Sequence, residues 1–181
     1  MRFAELVIPG AFIIDIEPHT DGRGFFARTF CAREFADHGL VATIAQVNAS
    51  YNRRRGTLRG LHYQVEPASE AKLVRCVSGA IHDVIVDMRP SSPTYLRHVS
   101  VELSAANRRL LYIPQLCAVG YQTLADDTEV VYQVSGFYAP ESERGLHHGD
   151  PRLGIVWPLP VTEISPKDTA WPLLSPEAKR P

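Results

Sequence analysis

Turn signals cut the chain between residues 6 and 134 into short extended runs at a spacing of roughly 8–12 residues, a pattern that leaves room for little but β-structure. Pro9-Gly10, His19-Thr20-Asp21-Gly22, Asn52-Arg53-Arg54-Arg55-Gly56 and Arg89-Pro90-Ser91-Ser92-Pro93 supply the backbone conformations that tight turns demand. The runs they bound predict strands over residues 6–16 (one or two, broken at Pro9-Gly10), 24–30, 42–50, 57–64, 72–78, 80–88, 97–103, 110–114, 119–124 and 129–134. AIHDVIVDM at 80–88 is almost continuously apolar and β-branched, so it predicts a central strand buried on both faces, in which Asp83 and Asp87 need partners. Val99, Val101 and Leu103 alternate with His98, Ser100 and Glu102, the pattern of a half-exposed strand. Residues 32–39 predict a short helix with Phe35 and Leu40 inward and Gly39 as its stop. Prolines at 140, 151, 158, 160, 166 and 172 forbid long regular elements and predict a proline-rich C-terminal wrap with short helices at most. A chain of 181 residues can bury one substantial core, so we expect residues 1–181 to form a single domain. The expected architecture is all-β, a double-sheet jelly roll with short peripheral helices.

Composition narrows the function classes. A formal net charge of −1 gives no field for nucleic acid, so phosphate recognition must come from a local cluster. The Arg53-Arg54-Arg55 run reads as a solvated loop rather than a nucleic-acid patch. Cys31, Cys76 and Cys117 are odd in number and unclustered, as expected of reduced thiols. With neither a long apolar stretch near the N-terminus nor a run of the ~20 apolar residues a span requires, a soluble cytoplasmic protein is expected.

The chemistry concentrates in RGLHYQVEPASEAK at 59–72, which offers Arg59, His62, Gln64 and Lys72. Histidine titrates near neutrality, so His62 is the candidate base; a nearby cation would favour its neutral form and could hold a phosphate or a developing oxyanion. The plainer alternative is a half-buried strand histidine beside surface charges. In a jelly roll, His62, Lys72 and residues of the 129–134 strand would surround one cavity. A metal would need more ligands: metal-binding jelly rolls use two histidines one residue apart, a carboxylate and a later histidine, whereas Tyr63-Gln64 follows His62 and the later loop carries Val119. No metal is therefore expected. His147-His148-Gly149-Asp150 reads as a surface turn. No cysteine or serine sits in an activation motif, and no glycine-rich phosphate loop is present. Proton transfer remains: a histidine base, a tyrosine acid and a lysine beside an enolate would suit abstraction of a proton next to a carbonyl.

DGRGFF at 21–26, QVN at 46–48, RGLHYQ at 59–64, KLVRCVSGAIHDVIVDMRPSSPTY at 72–95, TEVVYQVSGFYAPESE at 128–143, DPRLGIVWP at 150–158 and SPKD at 165–168 occur in order. Together they resemble the dTDP-4-dehydrorhamnose 3,5-epimerase family, metal-free cupin enzymes of deoxysugar biosynthesis. The resemblance implies a cofactor-independent reaction on a nucleotide sugar with a ketone at C4, dTDP-4-keto-6-deoxyglucose being the expected substrate. It implies His62 as base, Asp168 as the carboxylate orienting it, Tyr132 as the acid on the opposite face, and Lys72 beside the enolate oxygen. Arg23, Arg28, Gln46, Asn48, Arg59, Val119, Tyr138, Glu143 and Lys167 are implied at the substrate. A homodimer whose N-terminal strands pair across subunits is implied as well. Two residues depart from the pattern: Val119 stands where the family usually has a histidine, and Arg28 where it often has a glutamate. Both bear on which sugar is held and on whether C3, C5 or both are inverted. The alternatives are a C3-only or C5-only epimerase, a ketoisomerase, or a catalytically silent sugar-nucleotide binding protein; Tyr132 as a core aromatic and Asp168 as a helix cap stay open.

Overall fold

The computed structural model describes residues 1–175. Its elements, in chain order, are β1 (Arg2–Glu5), β2 (Phe12–Asp15), β3 (His19–Asp21), β4 (Gly24–Phe26), α1 (Ala32–Asp37), β5 (Gln46–Asn52), β6 (Thr57–Gln64), β7 (Lys72–Ser78) and β8 (Ala80–Asp87). There follow β9 (His98–Ser104), β10 (Leu110–Ile113), β11 (Cys117–Thr123), β12 (Thr128–Val134), a 3₁₀ turn over Pro140–Ser142, β13 (Glu143–Gly145), β14 (Glu163–Ile164) and α2 (Pro166–Thr169). One sheet runs β1-β2-β10-β7-β12-β5, the other β13-β6-β11-β8-β9 with β14 added parallel to β6. The β3–β4 hairpin belongs to neither sheet.

Alternation along the strands divides the apolar side chains into three layers. Val74, Cys76, Leu111, Ile113 and Val130 of the first sheet meet Ile81, Ile85, Val101, Leu103 and Tyr121 of the second in the space between them. Behind the first sheet, Ile14, Leu73, Leu110 and Tyr112 are covered by Phe35 of α1. Behind the second, Leu61, Val84, Val86 and Ala118 are covered by Leu146 and Leu153, with Ile155 and Trp157 of the C-terminal wrap packed against them. β8 is therefore buried on both faces, as its unbroken apolar run requires. This is the jelly roll expected from the punctuation of the sequence. The main departures lie near the N-terminus, where β1 begins at Arg2 and β5 at Gln46, while residues 27–30 lie outside any strand.

Asp87, at the buried end of β8, finds its partners in the following turn. Its carboxylate accepts from Arg89 Nε and Nη2 (both 2.8 Å), Ser92 Oγ (2.6 Å) and Thr94 Oγ1 (2.7 Å). Burial alone would raise its pKa, but these donors outweigh burial and hold it at about 2. A folded-state pKa below the unfolded value means stability that is present above about pH 4 and is lost as pH falls through about 2. Asp87→Asn should lower stability at pH 7 by roughly 3 kcal/mol, since it removes the charge that a half-buried guanidinium and two hydroxyls are bonded to. It should also flatten the acid limb of a urea-midpoint-against-pH curve; an unchanged midpoint would contradict this.

Candidate active site

The site begins at a break in strand alternation. In a regular strand Arg59 and His62 would face opposite sides of the sheet. Gly60, with φ of +111°, lies where a Cβ would come within 2.5 Å of Gly120 Cα, so glycine at both positions lets β6 and β11 approach closely. The register slips there: His62 lies opposite Val119 and Arg59 opposite Tyr121. The resulting bulge aims Arg59 and His62 into one cavity while Leu61 stays in the outer layer.

The C-terminal wrap delivers the second member of the site. β14 docks Glu163 and Ile164 beside Thr57 and Leu58, setting the chain alongside β6 just before α2. Ser165 caps α2, its Oγ accepting from the Asp168 N–H at 3.1 Å, and Pro166 occupies the first turn, where its missing N–H costs nothing. Asp168 is buried, Oδ1 lies 2.6 Å from His62 Nε2, and Oδ2 accepts from the Gly60 N–H at 3.3 Å. Burial would raise the Asp168 pKa, but the imidazole, the Gly60 N–H and the Ser165 side chain outweigh it and keep the group below its ordinary value. A carboxylate can only accept, so Nε2 must carry the hydrogen and Nδ1 the lone pair. Trp171 sets its ring edge-on to His62 with centroids 6.3 Å apart and lies over Gly145, where a Cβ would collide with the indole.

Facing the imidazole across the cavity are Tyr132 on β12 and Lys72 on β7, both from the other sheet. All three line a cavity of about 460 Å³ and a contiguous one of about 390 Å³. Burial, reinforced by the charge of Glu70, pushes the Tyr132 phenol up, so it keeps its proton at neutral pH. Lys72 is largely buried and pairs with Glu70 at 3.3 Å. The arrangement places a proton acceptor on one wall, a proton donor on the other, and a cation on the donor's wall.

The remaining positions expected at the site divide into two groups. Gln46, Asn48, Tyr138 and Glu143 line the smaller cavity, while Arg59, Val119 and Lys167 line the larger. Lys167 Nζ lies 2.6 Å from Glu143 Oε1, and the Tyr138 hydroxyl donates to Glu143 Oε2 at 2.8 Å, so these three act as a unit. Arg59 is held by Asn52 Oδ1 at 2.7 Å. Arg23 and Arg28 are not brought to either cavity within one chain. Arg23 sits at the exposed turn of the β3–β4 hairpin, paired with Asp21 at 2.6 Å, and Arg28 reaches Glu34 of α1 at 3.4 Å. Gln64, part of the motif that drew attention to His62, holds the loop before the 3₁₀ turn through the Ala68 and Phe137 carbonyls and the Ala139 N–H. Trp171 and the cap at Ser165 were not foreseen; Ser165-Pro166 is a helix-start signature that could have marked the cap, whereas Trp171 carries no local signal. Among the described residues no group of three or more His, Cys, Asp or Glu is arranged to hold a metal ion.

Comparison with known proteins agrees with this geometry. A family model described as dTDP-4-dehydrorhamnose 3,5-epimerase matches residues 5–176. The dTDP-4-dehydrorhamnose 3,5-epimerase of Sinorhizobium fredii is 41% identical over 175 residues, covering 96% of this chain and 90% of its own. The crystal structure of the Bacillus anthracis enzyme of that name, with TDP and PPi bound, superposes with a TM-score of 0.92 at 36% identity, covering 96% of this chain and 99% of its own. A dTDP-4-dehydrorhamnose 3-epimerase from Streptomyces niveus is 37% identical over 169 residues, covering 93% of this chain and 81% of its own. Fold, sequence match and extent of coverage agree: the chain belongs to the dTDP-4-dehydrorhamnose 3,5-epimerase family.

Proposed function

We propose that this protein is a cofactor-independent epimerase that inverts C3 and C5 of dTDP-4-keto-6-deoxyglucose. The observation that carries the reading is the placement of the His62–Asp168 pair and the Tyr132 phenol on opposite walls of one cavity. The C4 ketone acidifies the hydrogens at C3 and C5. Nδ1 of His62 removes one of them, the electron pair moves onto the C4 oxygen as an enolate, and Asp168 stabilises the imidazolium formed. The Lys72 ammonium stabilises the enolate oxygen. Tyr132 then delivers its phenolic proton to the opposite face, because a base returning its own proton would only restore the starting configuration. Solvent reprotonates the phenolate and takes the proton from His62, completing the cycle.

The nucleotide and sugar fall to Gln46, Asn48, Arg59, Tyr138, Glu143 and Lys167, with Val119 contributing an apolar wall. A diphosphate calls for cations, and the reading places Arg23 and Arg28 at the cavity of a second copy in a homodimer with exchanged N-terminal strands. Their side chains are 90% and 63% exposed within one chain, and the edge strand β5 presents exposed Val47 and Tyr51, which supports such a pairing. Residues 1–181 act as one domain, and the three free cysteines suit a cytoplasmic location. No helix among the described residues is long and apolar enough to cross a membrane. A second reading, inversion at C3 alone, has two supports: Val119 puts an apolar side chain beside His62, and a relative is named as a 3-epimerase.

Incubation with dTDP-4-keto-6-deoxyglucose in D₂O, followed by NMR, separates these readings. Deuterium at both C3 and C5 is expected; incorporation at C3 alone would establish the second reading, and none at either carbon would overturn the substrate assignment. His62→Ala should slow exchange by ~10²–10⁴-fold, and Lys72→Ala should cost ~10²–10³-fold. Tyr132→Phe should behave differently from both: His62 still takes and returns protons, so deuterium enters with retention while inverted product falls sharply. Equal loss of exchange and inversion in Tyr132→Phe would remove the phenol from its assigned role.

A further inference from the structure

The mechanism leaves Asp83 unused, although this residue borders the same cavity. It projects from β8 into the space between the sheets, is fully buried, and neither carboxylate oxygen has a hydrogen-bond partner. The Val84 amide beside it in the chain favours its ionised form without reaching hydrogen-bonding geometry. Of the donors on the neighbouring strands, the Tyr121 hydroxyl, the Cys76 thiol and the Lys72 ammonium are engaged elsewhere. From β11, Tyr121 lies directly opposite Asp83, but its hydroxyl is bonded to Ser50 Oγ at 2.7 Å and Asn52 Nδ2 at 3.3 Å. Val119, two residues back on the same face of β11, brings only methyl groups. From β7, the Cys76 thiol turns to the Ser78 carbonyl at 3.0 Å, and the Lys72 ammonium sits on Glu70. From β12 come Val130 and the half-buried Tyr132, and from β9 the apolar Val101.

A buried carboxylate without a partner costs several kcal/mol, and such a group escapes the cost by keeping its proton. Burial pushes Asp83 up to about 8 and raises Glu70 as well. Asp83 borders the larger cavity and Glu70 the smaller; Lys72, which lines both, is the ammonium paired with Glu70, whereas Lys167 is paired with Glu143. We propose that Asp83 is a positioning residue for Lys72: as a neutral carboxylic acid it leaves the ammonium free for the substrate's C4 oxygen, and on ionising it draws that ammonium into the sheet interior. The inference rests on the role assigned above to Lys72 and adds an alkaline limit to it. Raising the pH through the range in which Asp83 loses its proton withdraws the cation from the enolate site, so the rate falls while the Tyr132 phenol, pushed up by burial, still holds its proton.

Two measurements on the full chain test this, and the first needs no substrate. In protein labelled with ¹³C at aspartate carboxyls, the Asp83 signal, assigned through its own backbone, should have the shift of a protonated acid at pH 6.5. It should titrate near pH 8, moving the Lys72 ¹⁵Nζ signal with it. An ionised Asp83 at pH 6.5, or a Lys72 signal indifferent to its titration, overturns the proposal whether or not the chain epimerises anything. The second is kcat against pH: the parent should lose rate above about pH 8, and Asp83→Asn, which cannot ionise, should carry that fall at least one pH unit higher. The same alkaline limb in both proteins overturns the proposal while leaving the epimerase reading intact; complete absence of turnover in the parent would instead count against that reading.

Discussion

The hydrogen bond between His62 and Asp168 joins groups 106 residues apart, and much of the architecture serves to make it possible. On one side, two glycines allow β6 and β11 to close together and a bulge turns His62 into the cavity. On the other, a two-residue parallel strand lays the C-terminal wrap on β6, and a single capped turn of helix presents a buried carboxylate. The charge of Asp168 is kept in a buried place by the imidazole, the Gly60 N–H and the Ser165 cap acting together. Removal of any one of them would raise the Asp168 pKa, and a protonated acid would no longer fix which imidazole nitrogen accepts.

The second sheet carries His62, and the first carries Tyr132 and Lys72, the residues proposed as base, acid and cation. This division gives inversion a physical basis, since a planar enolate held between the walls would be deprotonated from one side and reprotonated from the other. The polar groups behind those walls are less balanced. Asp87 is surrounded by donors and stays ionised, whereas Asp83, four residues earlier on the same strand, meets none. The difference lies in the neighbours: Asp87 ends its strand beside a turn rich in Arg89, Ser92 and Thr94, while Asp83 is flanked across the sheet by Val101 and by a tyrosine already engaged.

The strands were legible wherever turn residues bounded them tightly. β6 and β7 fall over 57–64 and 72–78 as read, because Gly56 and the Pro67-containing connection leave no latitude. β5 begins four residues late because its ladder with β12 ends at Gln46 opposite Val134, the Ala45 N–H making the last bond, to the Val134 carbonyl. His62 was legible from its residue type and its basic neighbours. The sharing of one cavity by Arg59 and His62 was not, since simple alternation sets them on opposite faces and only the backbone at Gly60 reverses this. Asp168 entered through family resemblance alone, because nothing local connects a carboxylate in a proline-rich tail to a strand histidine. Trp171 gave no signal for the same reason. Arg23 belongs to the family motif, yet the hairpin that bears it stands off from both sheets, and Arg28, a departure from that pattern, lies just beyond the hairpin and turns to Glu34.

The central claim is that His62 and Asp168 act as one unit, and a double-mutant cycle on the proton-exchange rate tests it most directly. His62→Ala, Asp168→Ala and the double variant would be compared with the parent using the same 4-keto sugar nucleotide. If the pair is a unit, the double variant should be no slower than His62→Ala alone, because the carboxylate has nothing left to orient. Losses that multiply, with the double variant slower than His62→Ala by the full factor of Asp168→Ala, would show that Asp168 acts independently and would contradict the account.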